Sequence, residues 1–539
     1  TTSNRLINLI EVINICFLFY LLKVNKFKRE SQILFIFINQ LNVFFLFNYL
    51  QNQNYFSTTF FIKTLFLFFL FDAYFENKNT SSNKTLIYLF TLFAIGNNLN
   101  QTKIDDRIEI YYFSYAFKAD SSLSSIIGPD HTQVFAYLVK SFHFVFGDYY
   151  KFFLELVITL WISYLIYLFS RIFELSNLMT LLFGSLVLFE TNIIGGEGLF
   201  GSVLPKNFSY LCIFSSCYFL YTKKINYSLI FYSISFYFHF ALSILFLPIY
   251  LYIYIASEKY TRLLRDSLIG IILTLPMSVY LFFINYSSRE LDQDYQLLNQ
   301  KFIYAFTNHL YPFIFENGQF KEINQIHFKN GFMVLSFYIL VLIFLKLFLL
   351  QSKDFLLDLS IFNSIVFIFY IAIIFFFPFS DFVLLHPFRF VTFFAISIFL
   401  FMILKAKQIK DTPKIFINII AILIISYNVV QSLNSYEDSS VYKNYLNEYN
   451  NVEKTITSPP ELETFLSNKN LSLLLTPAFN TQSIFNDIEY VLDVPTYVSY
   501  FHIPLNINSL NNWEYRLKNL EEFYNGDCER FDEFMPIHF

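Results

Sequence analysis

Long apolar segments that recur along most of the chain constrain its fold more than any other feature. A helix needs about 20 apolar residues to cross roughly 30 Å of hydrocarbon. Segments near that length recur here with short polar interruptions, and charged residues make up only 14% of the 539 residues. With a mean hydropathy of +0.48, the chain is predicted to be an integral membrane protein. We predict about fourteen spans of suitable length, at 6–22, 31–50, 57–75, 85–98, 151–170, 177–193, 207–222, 226–240, 241–257, 265–286, 331–351, 357–378, 387–404 and 413–431.

Orientation follows from the distribution of Lys and Arg among the short loops. Basic residues cluster in alternate loops, which are predicted to be cytoplasmic. This alternation holds only if 226–257 forms a hairpin of two short helices with His239 near its outer tip, and if 133–147 does not cross the membrane. Segment 133–147 contains Lys140 and His143, and is predicted to be a helix lying in the interface. The basic loops include 23–29, 223–224, 259–265 and 405–414. The alternate loops are nearly bare: 51–56 has no Lys or Arg, 192–206 ends with Lys206 and 379–389 ends with Arg389.

This topology divides the chain into four parts. The predicted fold is an all-α polytopic membrane bundle followed by a small C-terminal α/β domain. In the last part, 471–475 and 497–502 are candidate strands and 513–524 has a helical pattern. The predicted location is the bacterial inner (plasma) membrane, with this domain outside the cytoplasm. The parts are N-terminal transmembrane helices (1–98), an outer loop with the interfacial helix (99–150), a transmembrane core with outer loop 287–330 (151–431) and the α/β domain (432–539).

Composition excludes several classes of function. A net charge of −4 is too small to indicate a nucleic-acid partner, and the four cysteines form no disulfide or metal pattern. The 75 Phe and 40 Tyr residues are typical of an AT-rich genome. There is no nucleotide-binding loop, dinucleotide fingerprint or serine nucleophile motif. Inside the predicted spans charge is rare, and Glu11, Lys63 and Glu155 are scattered exceptions.

Three carboxylates in the first long outer loop are candidate catalytic groups. Asp105 and Asp106 are adjacent, and the alternative for them is a solvated loop. Asp130 follows Gly128 and Pro129, which favour a turn, and its alternative role is to cap the helix that comes next. A carboxylate at the outer membrane boundary could serve as the general base toward an acceptor hydroxyl.

Cationic and imidazole side chains at the same predicted boundary are candidate phosphate ligands. Lys206 follows a glycine-rich stretch, 195–201, whose backbone N–H groups could bind an anion. His239 lies at the predicted hairpin tip, and His386 and Arg389 precede a late span. A guanidinium in the position of Arg389 suits a phosphate. The alternatives are an ordinary tight turn for the glycine-rich stretch, a structural role for His239, and an interfacial arginine that reaches the lipid headgroups for Arg389. The sequence therefore predicts a pocket for a lipid-linked phosphate at the outer boundary.

This pattern resembles the GT-C superfamily of membrane glycosyltransferases, and within it an uncharacterised group of bacterial membrane proteins. The resemblance covers about residues 85–539. It includes the acidic outer loop, the interfacial helix, the hairpin with His239, the Pro387-Phe388-Arg389 motif and the terminal domain. It implies a polyprenyl-phosphate-linked sugar as donor, with Asp130 or Asp106 as catalytic base or as ligand of a divalent cation. The chain departs from the family by its extra N-terminal spans and by the lack of a clear paired-carboxylate metal motif.

The sequence is also compatible with three other functions. A polysaccharide polymerase or ligase would also act on lipid-linked glycans, but loop 287–330 has few cations. A transporter or flippase would place charged groups near the bilayer midplane, where this sequence has almost none. A membrane protein without catalytic activity is the remaining alternative.

Overall fold

The computed structural model describes residues 58–75, 83–96, 133–189, 203–257, 262–286, 313–316, 319–323, 339, 355–377, 385, 387–408, 412–437 and 515. Almost all of these residues are helical. The predicted spans 6–22 and 31–50 lie outside the described residues, as do the predicted span 331–351 except for residue 339 and almost all of the predicted domain 432–539. The helices are α1 (Thr58–Phe75), α2 (Asn83–Gly96), α3 (Gln133–Phe146), α4 (Tyr150–Ile172), α5 (Asn177–Phe189), α6 (Pro205–Tyr221), α7 (Ile225–Phe238), α8 (Phe240–Ser257), α9 (Leu263–Tyr286), α10 (Phe355–Phe376), α11 (Val391–Gln408) and α12 (Thr412–Glu437).

Every predicted span that falls on these ranges coincides with a helix, and so does the predicted interfacial segment. Two of the described helices, α4 with 23 residues and α10 with 22, are long and apolar enough to cross a membrane. The other described helices are shorter or less apolar by the same measure, so their assignment as spans stays a prediction. The last helix continues to Glu437, past the predicted domain boundary at 431.

Helices α7 and α8 form the predicted hairpin, with His239 as the single residue between them. His239 has an extended backbone (φ −154°, ψ 90°), which ends α7 and reverses the chain. Ser235 and Ser243 share a hydrogen bond of 2.7 Å, and Ser228 and Tyr250 share one of 3.2 Å. Both pairs lie at equal sequence distances before and after His239, which is the pairing expected of two antiparallel helices.

The preceding turn joins α6 to α7 through a left-handed residue. Lys223 has a φ of 60°, and its N–H donates to the carbonyl of Leu220 at 3.0 Å. Lys224 N–H reaches back to Phe219 O at 2.8 Å. This closes the last turn of α6 with the two bonds of a Schellman motif. The tight turn lets α7 pack directly against α6.

Short polar side chains connect helices across an otherwise apolar core. Thr85 of α2 donates to Asn177 of α5 at 2.6 Å, and Asn428 of α12 donates to Ser185 of α5 at 3.0 Å. Trp161 Nε1 of α4 donates to Ser215 of α6 at 3.0 Å. Interhelical bonds of this kind are a common means of association among helices in an apolar environment. They fix which helices are neighbours in the bundle.

A small antiparallel hairpin occupies part of segment 287–330, where no strand was predicted. Its strands are β1 (Phe313–Glu316) and β2 (Gln319–Ile323), with Glu316 opposite Gln319. The register shifts between Ile314 and Phe315.

Gly184 of α5 packs closely against α2. A Cβ added at this glycine would come within 2.9 Å of Leu89 Cδ2 and 3.4 Å of Leu92 Cδ2. We expect Gly184→Leu to lower the free energy of unfolding by about 1–3 kcal/mol through overpacking. Gly270→Leu is the matched control, because an added Cβ there meets only Leu229 at 3.8 Å. Thermal unfolding of the purified variants measures both, and equal stability of the two would contradict this packing.

Candidate functional site

His239 and Arg389 meet at one end of the bundle, although they are 150 residues apart in the sequence. Arg389 Nη1 lies 2.9 Å from His239 Nε2. Both residues were predicted separately as phosphate ligands. The structure therefore brings together two of the predicted site residues.

His239 is held by the hairpin that it joins. Its side chain is 6% exposed, and its Nδ1 can accept a hydrogen bond from Leu242 N–H at 3.3 Å. It thus caps the first turn of α8, where backbone N–H groups lack helical partners. A neutral imidazole has one acceptor nitrogen, so it accepts either from Leu242 N–H at Nδ1 or from Arg389 at Nε2. The guanidinium can only donate, so Nε2 is the acceptor whenever the 2.9 Å contact with Arg389 is a hydrogen bond.

Arg389 lies in a 3₁₀ turn, Pro387–Phe390, immediately before α11. The next residue, Phe390, is fully buried and packs edge-on against Tyr370 with ring centroids 5.2 Å apart. Tyr370 OH in turn donates to Leu245 O of α8 at 3.1 Å. These contacts attach the turn to α8 and so fix the position of Arg389 beside His239.

Lys206 lies at the same end of the bundle, in the first turn of α6. Two contacts link this turn to the hairpin tip: Phe208 stacks on Phe238 with centroids 5.2 Å apart, and Ser209 shares a hydrogen bond of 3.4 Å with Ser243. The N-termini of α6, α8 and α11 therefore all lie at this end. The partial positive charges of helix N-termini favour an anion, and they add here to the charges of Lys206 and Arg389.

The beginning of α3 is also near this group. Phe135, in the first turn of α3, has its ring 5.9 Å from that of Phe208. The remaining candidates, Asp105, Asp106, Asp130 and His386, lie outside the described residues. Within the part of the chain that the structure describes, no group of three His, Cys, Asp or Glu side chains could hold a metal ion.

A buried ion pair in α4 was not predicted as such. Lys151 Nζ lies 3.6 Å from Glu155 Oε1, and the two side chains are only 5% and 6% exposed. From the sequence, only Glu155 is identified, as one of the scattered charges inside the predicted spans. The i, i+4 spacing of opposite charges on a helix is the signal that could have identified the pair.

Substitutions at His239 separate its two contacts. Asn is a good N-cap residue, but its shorter side chain does not extend to Arg389. We expect His239→Asn to keep nearly wild-type stability, and His239→Ala to lose about 1 kcal/mol with the cap. Both variants should bind a phosphate-bearing ligand more weakly than the wild type. Thermal unfolding and ligand titration measure the two effects, and undiminished binding by both variants would exclude His239 from the site.

No family model, no curated protein and no solved structure matches this chain. The assignment of a function therefore rests on the described geometry and on the sequence pattern.

Proposed function

We propose that this chain is a multi-pass membrane glycosyltransferase of GT-C type, which moves a sugar from a polyprenyl-phosphate donor to an extracytoplasmic acceptor. The observation that carries the proposal is the contact of His239 with Arg389 among three helix N-termini. The remaining N–H groups of the guanidinium, which the contact with His239 holds in place, suit an oxygen of a phosphate group. Lys206 supplies a second full positive charge at the same end.

The position of this anion site relative to the helices favours a lipid-linked phosphate. The site lies at one end of helices whose length and apolar character, in α4 and α10, suit a membrane. A donor anchored in the bilayer would present its phosphate at this depth, with its chain among the lipids. A soluble nucleotide sugar would need additional groups for the base and ribose.

Chemistry at the sugar needs a base and a stabilised leaving group. In the proposed reaction the acceptor oxygen attacks the anomeric carbon, and the bond from that carbon to the phosphate oxygen breaks. The acceptor proton goes to a carboxylate, and the polyprenyl phosphate leaves with its negative charge held by Arg389, Lys206 and His239. Asp130 is the proposed base, three residues before α3, with Asp106 and Asp105 as the other candidates. The resemblance also allows a divalent cation.

The proposed orientation places the phosphate end of the bundle outside the cytoplasm. The chain is proposed to reside in the bacterial inner membrane, with Lys223, Lys224 and the other basic loops on the cytoplasmic face and 432–539 on the outer face. A reporter fused after Phe539 should therefore be active only outside the cytoplasm. A cytoplasmic signal would place the terminal domain, and with it the end of the bundle that holds the anion site, on the cytoplasmic side, and would remove this proposal.

The direct test compares a polyprenyl monophosphate with the corresponding polyprenol. The full chain in lipid nanodiscs is mixed with each, and bound lipid is measured by native mass spectrometry. We expect binding of the phosphate and none of the alcohol. With a polyprenyl-phosphate hexose, the wild type should release polyprenyl phosphate, whereas Asp130→Ala should bind the donor without releasing it.

Two results would replace this function with another. Binding without release, combined with counterflow of the lipid or its sugar across proteoliposomes, would identify a transporter or flippase. Release that requires a lipid-linked glycan as acceptor would identify a polymerase or ligase. Equal binding of phosphate and alcohol would reject the anion site itself.

A further inference from the structure

A cavity lies among six helices of the bundle. It is a cavity of about 120 Å³ bordered by α4, α5, α6, α8, α10 and α11. Its wall is formed almost entirely by Ile, Leu, Val and Phe side chains. An engineered apolar cavity of about 150 Å³ stays dry and binds benzene. The present cavity is somewhat smaller, so it suits at most one small organic molecule or a short branch of a larger one.

One polar group interrupts the apolar wall. Asn363 of α10 is 1% exposed, and its Nδ2 donates to Ser397 Oγ of α11 at 3.2 Å. Ser397 Oγ in turn donates to Phe394 O at 2.8 Å. Both Asn363 and Ser397 border the cavity. The other half of the amide, Asn363 Oδ1, is buried and makes no hydrogen bond.

The hydrogen bonds of Ser397 decide the orientation of the amide. Ser397 uses its one hydroxyl hydrogen on Phe394 O, so it accepts a bond from Asn363 through Nδ2, and Oδ1 is the atom without a partner. Leaving a buried polar group unsatisfied costs about 1–3 kcal/mol. A ligand that bonds to this group would recover that energy.

Water is poorly suited to the position. A buried water typically makes two to four hydrogen bonds. Ser397 Oγ on the wall is already bonded to Asn363 Nδ2 and Phe394 O, which leaves Asn363 Oδ1 as the strong acceptor and Cys217 Sγ as a weak one. A mainly apolar molecule with one O–H or N–H group meets both requirements. Its body fills the cavity, and its single donor reaches Asn363 Oδ1.

We infer that this cavity binds a small, uncharged, mainly apolar molecule that donates one hydrogen bond, with phenol as the simplest example. The site is separate from the His239–Arg389 pair. Phe393, one helical turn after Arg389, forms part of the cavity wall and packs on Phe246 with centroids 4.6 Å apart. The inference does not depend on the proposed glycosyltransferase activity.

The test uses ¹⁹F NMR on the purified full chain with 4-fluorophenol and with fluorobenzene. The wild type should show a protein-dependent resonance for 4-fluorophenol that unlabelled phenol displaces. Fluorobenzene should bind about tenfold more weakly, because it lacks the hydrogen bond. In Asn363→Ala the cavity stays open but the amide is gone, so the two probes should bind equally.

Ile249→Phe fills the cavity from α8, since Ile249 is 2% exposed and borders it. Neither probe should bind this variant, and circular dichroism checks that it remains helical. If it does not fold, Asn363→Ala decides alone. The inference is overturned if the wild type shows no bound signal, if fluorobenzene binds it as tightly as 4-fluorophenol, or if a well-folded Ile249→Phe gives the same resonance.

Discussion

Replacing Arg389 with Ala should reduce binding of a polyprenyl phosphate about 10- to 150-fold and abolish sugar transfer, while the protein still inserts into the membrane. The guanidinium is the proposed phosphate ligand, and it lies against His239 Nε2 at 2.9 Å. A hydrogen bond to a charged group contributes about 1.5–3 kcal/mol, and Arg also supplies the charge that stabilises the leaving phosphate. Arg389→Lys should recover part of the binding but little transfer, because a single ammonium cannot reproduce the planar fork.

Arg171→Ala is the matched control for loss of one guanidinium. Arg171 lies in the last turn of α4, where its Nη1 is 3.4 Å from Tyr167 OH, at the end opposite to the proposed site. This variant should bind and transfer like the wild type. Binding is measured with the nanodisc assay, and insertion by membrane fractionation. Wild-type transfer by Arg389→Ala would reject the site, whereas equal losses in both variants would indicate a general electrostatic effect.

Loop charge and helix length predicted much of the described fold. The apolar segments placed the described helices, and the parity of the basic loops required a chain reversal near His239, which the extended backbone at that residue confirms. The sequence predicts only that His239 and Arg389 lie at the same outer membrane boundary, and not that they are in contact. No local pattern specifies a pairing across 150 residues, because it depends on how α8, α10 and α11 pack.

Other features needed either a different signal or the structure itself. Asn317-Gly318, a dipeptide that favours tight hairpin turns, lies between β1 and β2 in the sequence. The length of apolar segments, from which the spans are predicted, carries no information about such a turn. The cavity beside Asn363 arises from imperfect packing among six helices. An asparagine in an apolar segment gives no indication whether its second polar atom finds a partner. Local sequence therefore predicts elements and turns, whereas cavities require three-dimensional packing.

The ion pair of Lys151 and Glu155 leads to the largest expected loss of stability. Both side chains are almost fully buried in the first turns of α4, with Nζ and Oε1 3.6 Å apart. Glu155→Ala leaves the ammonium of Lys151 buried without this carboxylate. Breaking a buried pair in this way costs about 3–5 kcal/mol. We therefore expect Glu155→Ala to have a much lower midpoint of thermal unfolding than the wild type.

The double variant Lys151→Met, Glu155→Leu distinguishes loss of charge pairing from loss of packing. Apolar side chains of similar volume can replace a buried ion pair at little cost or with a gain in stability, so this variant should unfold near the wild-type midpoint. Lys224→Ala is the surface control: Lys224 is exposed, and its removal should change stability by less than about 0.5 kcal/mol. If the double variant is as unstable as Glu155→Ala, then the two charges have a role beyond neutralising one another.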